Sequence, residues 1–514
     1  MVVFPTITSK NQTIEKIVNG KTYVYERVPY YNSKIQNTSY HYRYIGKKDS
    51  GEIRKIRSVL PRRSLIHGPF IPLMSIVDAL GIGDMLKKHL TEKESREIIA
   101  IAISKIVRPL PLSSMDTWFE GTSLSRSMKV DLKSQRISEL MDKIGFSDLY
   151  RQFSSDLISK LNPGNSLLYD ITSVPSYSSV EILEYGHAKD HPDLEQINMS
   201  MVMERSRRIP ISFEIYSGSI PDVVTLKRTV DNIRKMIPKI EIILDRGFFS
   251  QENLKLLRDD SYIIAASLAS KAVKNVFATA SRSVDRADNV VVYENDPIFC
   301  KQVSFNMGDL TLNGYFYHDP RREGDERSDF YRRLAEKRNM IEKLQVRSNI
   351  QESIESIASS YRRYFTWRIE NNHIITKARN NAISAAENRM GRFLIVYSGD
   401  YTALECLTIY RDRDRIEKAF RILKTDLDIF PMRGRTESTI RGILFVFFIS
   451  LIIRAALTKG MLSSGMSNRY STERMILELE KVQVVEDAYG NLTDLERTKK
   501  QKDILDALGN ISWW

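Results

Sequence analysis

The centre of this chain is predicted to be a mixed α/β sheet with helices on its faces, on three observations. From Ser166 the sequence runs strand, β-hairpin, helix, strand, helix, strand: SLLYDIT, NMSMVMERSRRIPISFEIYSG, DVVTLKRTVDNIRKM, IEIILDRGF, SQENLKLLRDD and SYIIAASL. That alternation packs helices against one sheet. The pattern breaks over residues 270–392 and resumes with GRFLIVYS, as it does when a subdomain is inserted between core strands. The 514 residues, 42% hydrophobic and 27% charged, are ordinary for a globular chain and long enough for about three domains.

The elements follow in order. Residues 1–65 read as a basic β-rich arm, with strand-like runs KTYVYERV, SYHYRYIG and EIRKIRSV between polar turns. This arm holds 13 Lys/Arg against 4 Asp/Glu, and seven tyrosines. Cations interleaved with aromatics suit contact with phosphates and packing on bases or sugars, whereas the bland alternative is a basic hairpin without a ligand. Residues 66–160 turn helical (IPLMSIVDAL, SREIIAIAISKIV, SQRISELMDKIG, DLYRQFSSDLISKL) and make a helical, DNA-binding domain. A helix-turn-helix around Ser134–Leu149 competes there with an ordinary helix pair. The α/β core takes 161–270 and 392–460, the inserted subdomain 271–391, and a charged helical tail 461–514.

Composition narrows the function. The chain carries 77 Lys+Arg against 64 Asp+Glu, with pI ≈ 9.4, which points to a polyanionic partner. No GxxxxGK[ST] loop occurs, so ATP hydrolysis has no support. Cys300 and Cys406 are the only cysteines and their spacing frames neither a metal site nor a disulfide, which fits a reducing cytosol. His187 and His191 stand four apart, but flanking Gly186 and Pro192 suggest a loop rather than a zinc-binding helix. MVVFPTITSKNQ lacks the features of a signal peptide. The longest apolar run, GILFVFFISLII, is about 12 residues, short of the roughly 18 a membrane span needs, so a buried core helix is expected. The expectation is a cytoplasmic, nucleoid-associated protein with no membrane partner.

Three carboxylates stand out. Asp170 in LLYDIT and Asp245 in IILDRG are predicted at the ends of core strands, where side chains project into the ligand crevice of an open sheet. The third, Glu417, lies in YRDRDRIEKAFRILK, which has no Gly or Pro and is predicted to be one helix. At about 100° per residue, Tyr410, Arg413, Glu417 and Lys424 share an arc only about 60° wide, beside an apolar stripe of Ile416, Phe420, Leu423 and Leu427. Taken singly, each acid reads equally well as a turn residue or a solvated surface group. Brought together, the three repel unless cations sit among them, and hard oxygen ligands select Mg²⁺ or Mn²⁺. A pair of such ions suits phosphodiester chemistry.

Asp170, Asp245 and the spacing Tyr410-x2-Arg413-x3-Glu417-x6-Lys424 resemble the DDE transposases of prokaryotic insertion sequences that carry the Tyr-Arg-Glu-Lys signature. The resemblance covers roughly residues 160–460. It implies a ribonuclease H-like core with a β-rich insertion ahead of the Glu-bearing helix. It also implies that Asp170, Asp245 and Glu417 bind two catalytic Mg²⁺ or Mn²⁺ ions, that Tyr410 and Arg413 hold a phosphate near the cut, and that Lys424 holds a neighbouring one. The implied partners are double-stranded DNA, as inverted-repeat ends and as target, and a second copy of the chain in a homodimeric DNA complex. The implied activity is endonuclease cleavage at the element ends followed by joining of 3′-hydroxyls to target DNA. Trp367 could stack on a displaced base. A DNA-binding derivative without catalysis and a metal-dependent nuclease without joining are the competing functions.

Overall fold

The computed structural model describes residues 12–18, 20–32, 37–49, 52–55, 61–185, 193–220, 222–268, 270–346, 349–429, 432, 434–509, 511 and 513. The expected mixed α/β architecture is present, built on one nine-stranded sheet. Its strand order is Val290–Tyr293, Asp296–Met307, Leu310–His318, Arg392–Ser398, Ser261–Ala265, Glu241–Leu244, Ser166–Pro175, Gln196–Glu204, Ile209–Ser217. Only Glu241–Leu244 pairs in parallel, with both of its neighbours. Numbered from Ser166, the first five strands therefore lie in the order 3-2-1-4-5. Every residue of Gln196–Glu204 is buried, as expected for a strand covered on both faces.

The apolar helix is longer than its apolar run: it spans Glu437–Ser463, capped by Thr436, whose hydroxyl accepts from the Thr439 N–H. It packs against the Ser134–Phe146 and Glu92–Val107 helices and against Ile209–Ser217. Phe445 meets Phe153 edge to face at 5.4 Å, and Phe448 meets Phe213 at 4.6 Å, so the helical region and the sheet share one core. Among the described residues it is the one helix that alone is long and apolar enough to cross a membrane, and 89% of its apolar window is buried inside the protein.

Inside the helical region a charge is buried. Glu97 is fully buried and accepts from Arg136 Nη2 at 2.7 Å and Nε at 3.1 Å. Removing the guanidinium would strand that carboxylate, because Lys93 at 3.8 Å is its only other ion-pair partner among the described residues. Arg136→Ala is therefore expected to destabilise by about 3 kcal/mol, read as a lower urea midpoint with an unchanged m-value.

Three expectations need correction. Strands 290–318 extend the large sheet, so the separate small core is narrower than 271–391. It gathers Phe330, Leu334, Ile354, Phe365, Ile374 and Met390 around the Pro320–Glu342 helix and the Phe365–Ala378 hairpin. The tail after 461 is not wholly helical, since Gln483–Glu486 pairs antiparallel with Arg63–Ile66. That pairing also runs across the boundary expected at residue 65. The arm itself is a four-stranded antiparallel sheet, Gln12–Val18, Lys21–Asn32, Asn37–Asp49 and Glu52–Lys55. There Arg27 stacks over the Tyr40 ring at 3.4 Å and Lys16 over Tyr42 at 4.6 Å.

Candidate active site

Asp245 stands where expected, just past Glu241–Leu244, and opens the short turn Arg246–Phe248. Asp170 does not end its strand: it lies in the middle of Ser166–Pro175, opposite Met201. The parallel ladder with 241–244 stops at Leu168↔Ile243, while the antiparallel hairpin carries the strand on to Pro175. Asp170 thus lies just beyond the point where its parallel neighbour ends, beside Asp245. Its Oδ1 accepts from the Ile171 N–H at 2.8 Å.

The single helix expected over Tyr410–Lys424 is broken. Ala403–Arg411 ends at Asp412, a second helix spans Asp414–Arg421, and Ile422–Asp426 forms a π-helical turn. Tyr410 therefore lies on the first helix, Arg413 at the head of the second, Glu417 within it, and half-buried Lys424 in the π turn. Asp412 holds the break, accepting from Arg205 at 3.1 Å and from Arg415 at 2.5 Å. Arg205 sits in the turn of the core hairpin, 207 residues away, and no local signal in the sequence marks it.

Arg413 joins the acids. Its Nη1 donates to Glu417 at 2.6 Å, its Nη2 stands 3.7 Å from Asp245, and Tyr410 donates to Asp245 at 3.5 Å. Arg413 is 17% exposed, against 41% for Asp245 and 48% for Glu417. Burial alone would lower the Arg413 pKa, but Tyr410, Asp245, Glu417 and Asp170 around it hold it above its ordinary value. Burial pushes the Asp170 carboxyl up to about 7; the Ile171 N–H and Arg413 oppose the rise, and Asp245 and Glu417 add to it. Burial also raises the Tyr410 phenol. Among the described residues no three His, Cys, Asp or Glu side chains form a closed metal-binding group. The donor chemistry nonetheless fits a hard divalent cation, because three carboxylates, Asp170, Asp245 and Glu417, share one neighbourhood around a single Arg413.

Trp367 belongs to the small core, with Nε1 3.4 Å from Gln351 Oε1. It also lines a cavity of about 570 Å³ together with Arg362, Arg363 and Arg379. His187 and His191 fall outside the described residues.

Residues 164–453 match the transposase DDE domain, more than half of the chain, and the chain belongs to that family. Enzymes of this family generally use divalent metal ions. Among curated proteins none matches. Among solved structures, a piggyBac transposase synaptic complex with hairpin DNA is 11% identical with a TM-score of 0.39, over 80% of this chain and 79% of that one.

Proposed function

We propose that this chain is an insertion-sequence transposase that binds inverted terminal repeats, cleaves phosphodiester bonds at the element ends and joins the freed 3′-hydroxyls to target DNA. The observation that carries the reading is the meeting of Asp170, Asp245 and Glu417 around Arg413 inside a transposase DDE domain. The 3-2-1-4-5 strand order with its parallel centre supports a ribonuclease H-like core. Asp170, Asp245 and Glu417 would hold two Mg²⁺ or Mn²⁺ ions, which supply Lewis-acid stabilisation of attacking and leaving oxygens. Arg413 offers a planar fork to a phosphate of the cut strand, with Tyr410 fixing its aromatic side, and Lys424 offers a point charge to the next phosphate. The basic arm and the helical domain would bind the repeat, and two copies of the chain would pair two ends. The Trp367 cavity, with three arginines, suits a displaced base. The protein would work in the cytoplasm at the nucleoid.

The test is purified full-length protein on duplexes carrying the element's own ends, in Mg²⁺ and in EDTA. Mg²⁺-dependent nicks at the ends together with strands joined to a target plasmid are expected. Hydrolysis without joining would make it a nuclease, and binding without nicks a non-catalytic derivative; either result overturns the proposal. Binding should weaken steeply between about 50 and 200 mM salt.

A further inference from the structure

Behind the helix that carries Glu417 lies a second cavity, of about 710 Å³. At about 100° per residue, Arg415, Lys418 and Ile422 fall about 160°, 100° and 140° away from Glu417, so this cavity faces away from the acids. Its apolar lining includes Met203, Ile422, Leu451 and Leu462, with the Tyr293 ring. Its charged lining is Arg208, Arg411, Arg415, Lys418 and Lys459 against Glu294, Asp412 and Asp414, an excess of two positive charges.

The acids present cancel only part of that excess. Arg411 pairs with Asp319 and Lys418 with Asp414. Asp412 is shared between Arg415 and Arg205. Among the described residues, neither Arg208 nor Lys459 has an ion-pair partner. Arg208 and Arg205 stand close enough to Arg415 to repel it, against the attraction of Asp412. Burial and then Arg207 lower the Lys459 pKa, with Glu204 opposing. Arg415 is thus crowded by Arg208 and Arg205, and Lys459 by Arg207, beside an apolar bed, and an anion in the cavity would relieve both the repulsion and the desolvation.

We infer that this cavity binds a phosphate group together with the nucleoside attached to it: one nucleotide unit, supplied by a DNA strand. Arg208 offers a fork to the phosphate oxygens, Lys459 a point charge, and Arg415 its charge, since its Nη1 and Nη2 already bond the Arg205 carbonyl and Asp412, while the apolar lining and Tyr293 receive sugar and base. The DNA source rests on the function proposed above; a free nucleotide presents the same chemistry. With a strand bound here, the Asp414–Arg421 helix would be gripped by DNA on both faces.

The experiment uses full-length protein, wild type, Arg415→Gln/Lys459→Gln and Lys459→Gln alone. The last removes a cation without an ion-pair partner, so it leaves the Asp412 clamp intact. In one arm, binding of the end duplex is measured from about 50 to 200 mM salt. The log–log slope should fall by about two in the double variant and about one in Lys459→Gln. In the other arm, deoxyadenosine monophosphate is titrated into wild type and double variant. Unchanged slopes with no nucleotide binding overturn the site. Unchanged slopes with nucleotide binding that the double variant loses overturn the DNA source and leave a free nucleotide as occupant. Wild type that fails to bind the duplex at all counts against the proposed function instead, and the nucleotide arm still decides the cavity.

Discussion

Asp170→Asn is expected to abolish end cleavage and, in the same molecule, to stabilise the protein at pH 8 without divalent ions. Both effects come from one group. Folding raises the Asp170 pKa to about 7, from the roughly 3.9 of an exposed aspartate. The folded state therefore holds its proton more tightly than the unfolded chain does. The stabilising contribution of the protonated carboxyl is complete below about pH 4 and is lost as the pH rises toward 7. At pH 8 the partly buried charge costs up to about 4 kcal/mol, and Asn, neutral and of the same shape, avoids that cost while keeping the acceptor for the Ile171 N–H. Urea denaturation should show the variant ahead of wild type at pH 8 and level with it at pH 4. Cleavage should fall at least about a thousandfold, the loss expected when a residue carrying the chemistry is removed.

The same carboxyl is expected to shape the pH profile of the wild type. If Asp170 ligates an ion it must first lose its proton, so at subsaturating Mg²⁺ cleavage should rise about tenfold per pH unit below 7, and raising Mg²⁺ should move the plateau to lower pH. Glu417→Gln separates the two effects. It should lose cleavage as fully, yet gain no stability, because Glu417 is half exposed and Gln replaces its charged 2.6 Å hydrogen bond with Arg413 Nη1 by a weaker neutral one. Near-normal cleavage by either variant would remove that acid from the catalytic set.

What the sequence made legible was local. The order of strands and helices through 166–265 follows from residue periodicity, and Asp245 could be placed at a strand end because its strand is short and its turn adjacent. Asp170 could not be placed, because what carries its strand past the acid is hairpin pairing with Gln196–Glu204, a tertiary fact. The break at Asp412 is invisible in a stretch free of Gly and Pro. It is held by Arg205 across 207 residues, and yet Tyr410 and Arg413, from either side of it, both reach Asp245, and Arg413 also holds Glu417. The pairing of Arg63–Ile66 with Gln483–Glu486 is equally remote, which is why the tail reads as helical on local pattern alone.

Remote contact also governs the largest stability effect expected here. The Glu437–Ser463 and Ser134–Phe146 helices cross with backbone against backbone. A Cβ on Gly442 would stand 2.0 Å from the Met141 carbonyl oxygen, and one on Gly145 1.7 Å from that of Ser438. Neither carbonyl can step aside as a flexible side chain would, so the helices would have to part. Parting them pulls Phe445 from Phe153 and Phe448 from Phe213, in the core that joins the helical region to the sheet. Gly442→Val is expected to cost well over about 3 kcal/mol, the upper end of ordinary overpacking, and to leave little folded protein. Gly442→Ala is the sharper measurement, because helix propensity alone predicts a gain of about 1 kcal/mol. Gly324, exposed in the Pro320–Glu342 helix with nothing within 4 Å of a Cβ, supplies the control. Gly324→Ala should raise the urea midpoint and Gly442→Ala should lower it. Two midpoints moving upward together would mean that the helices are not in contact at Gly442.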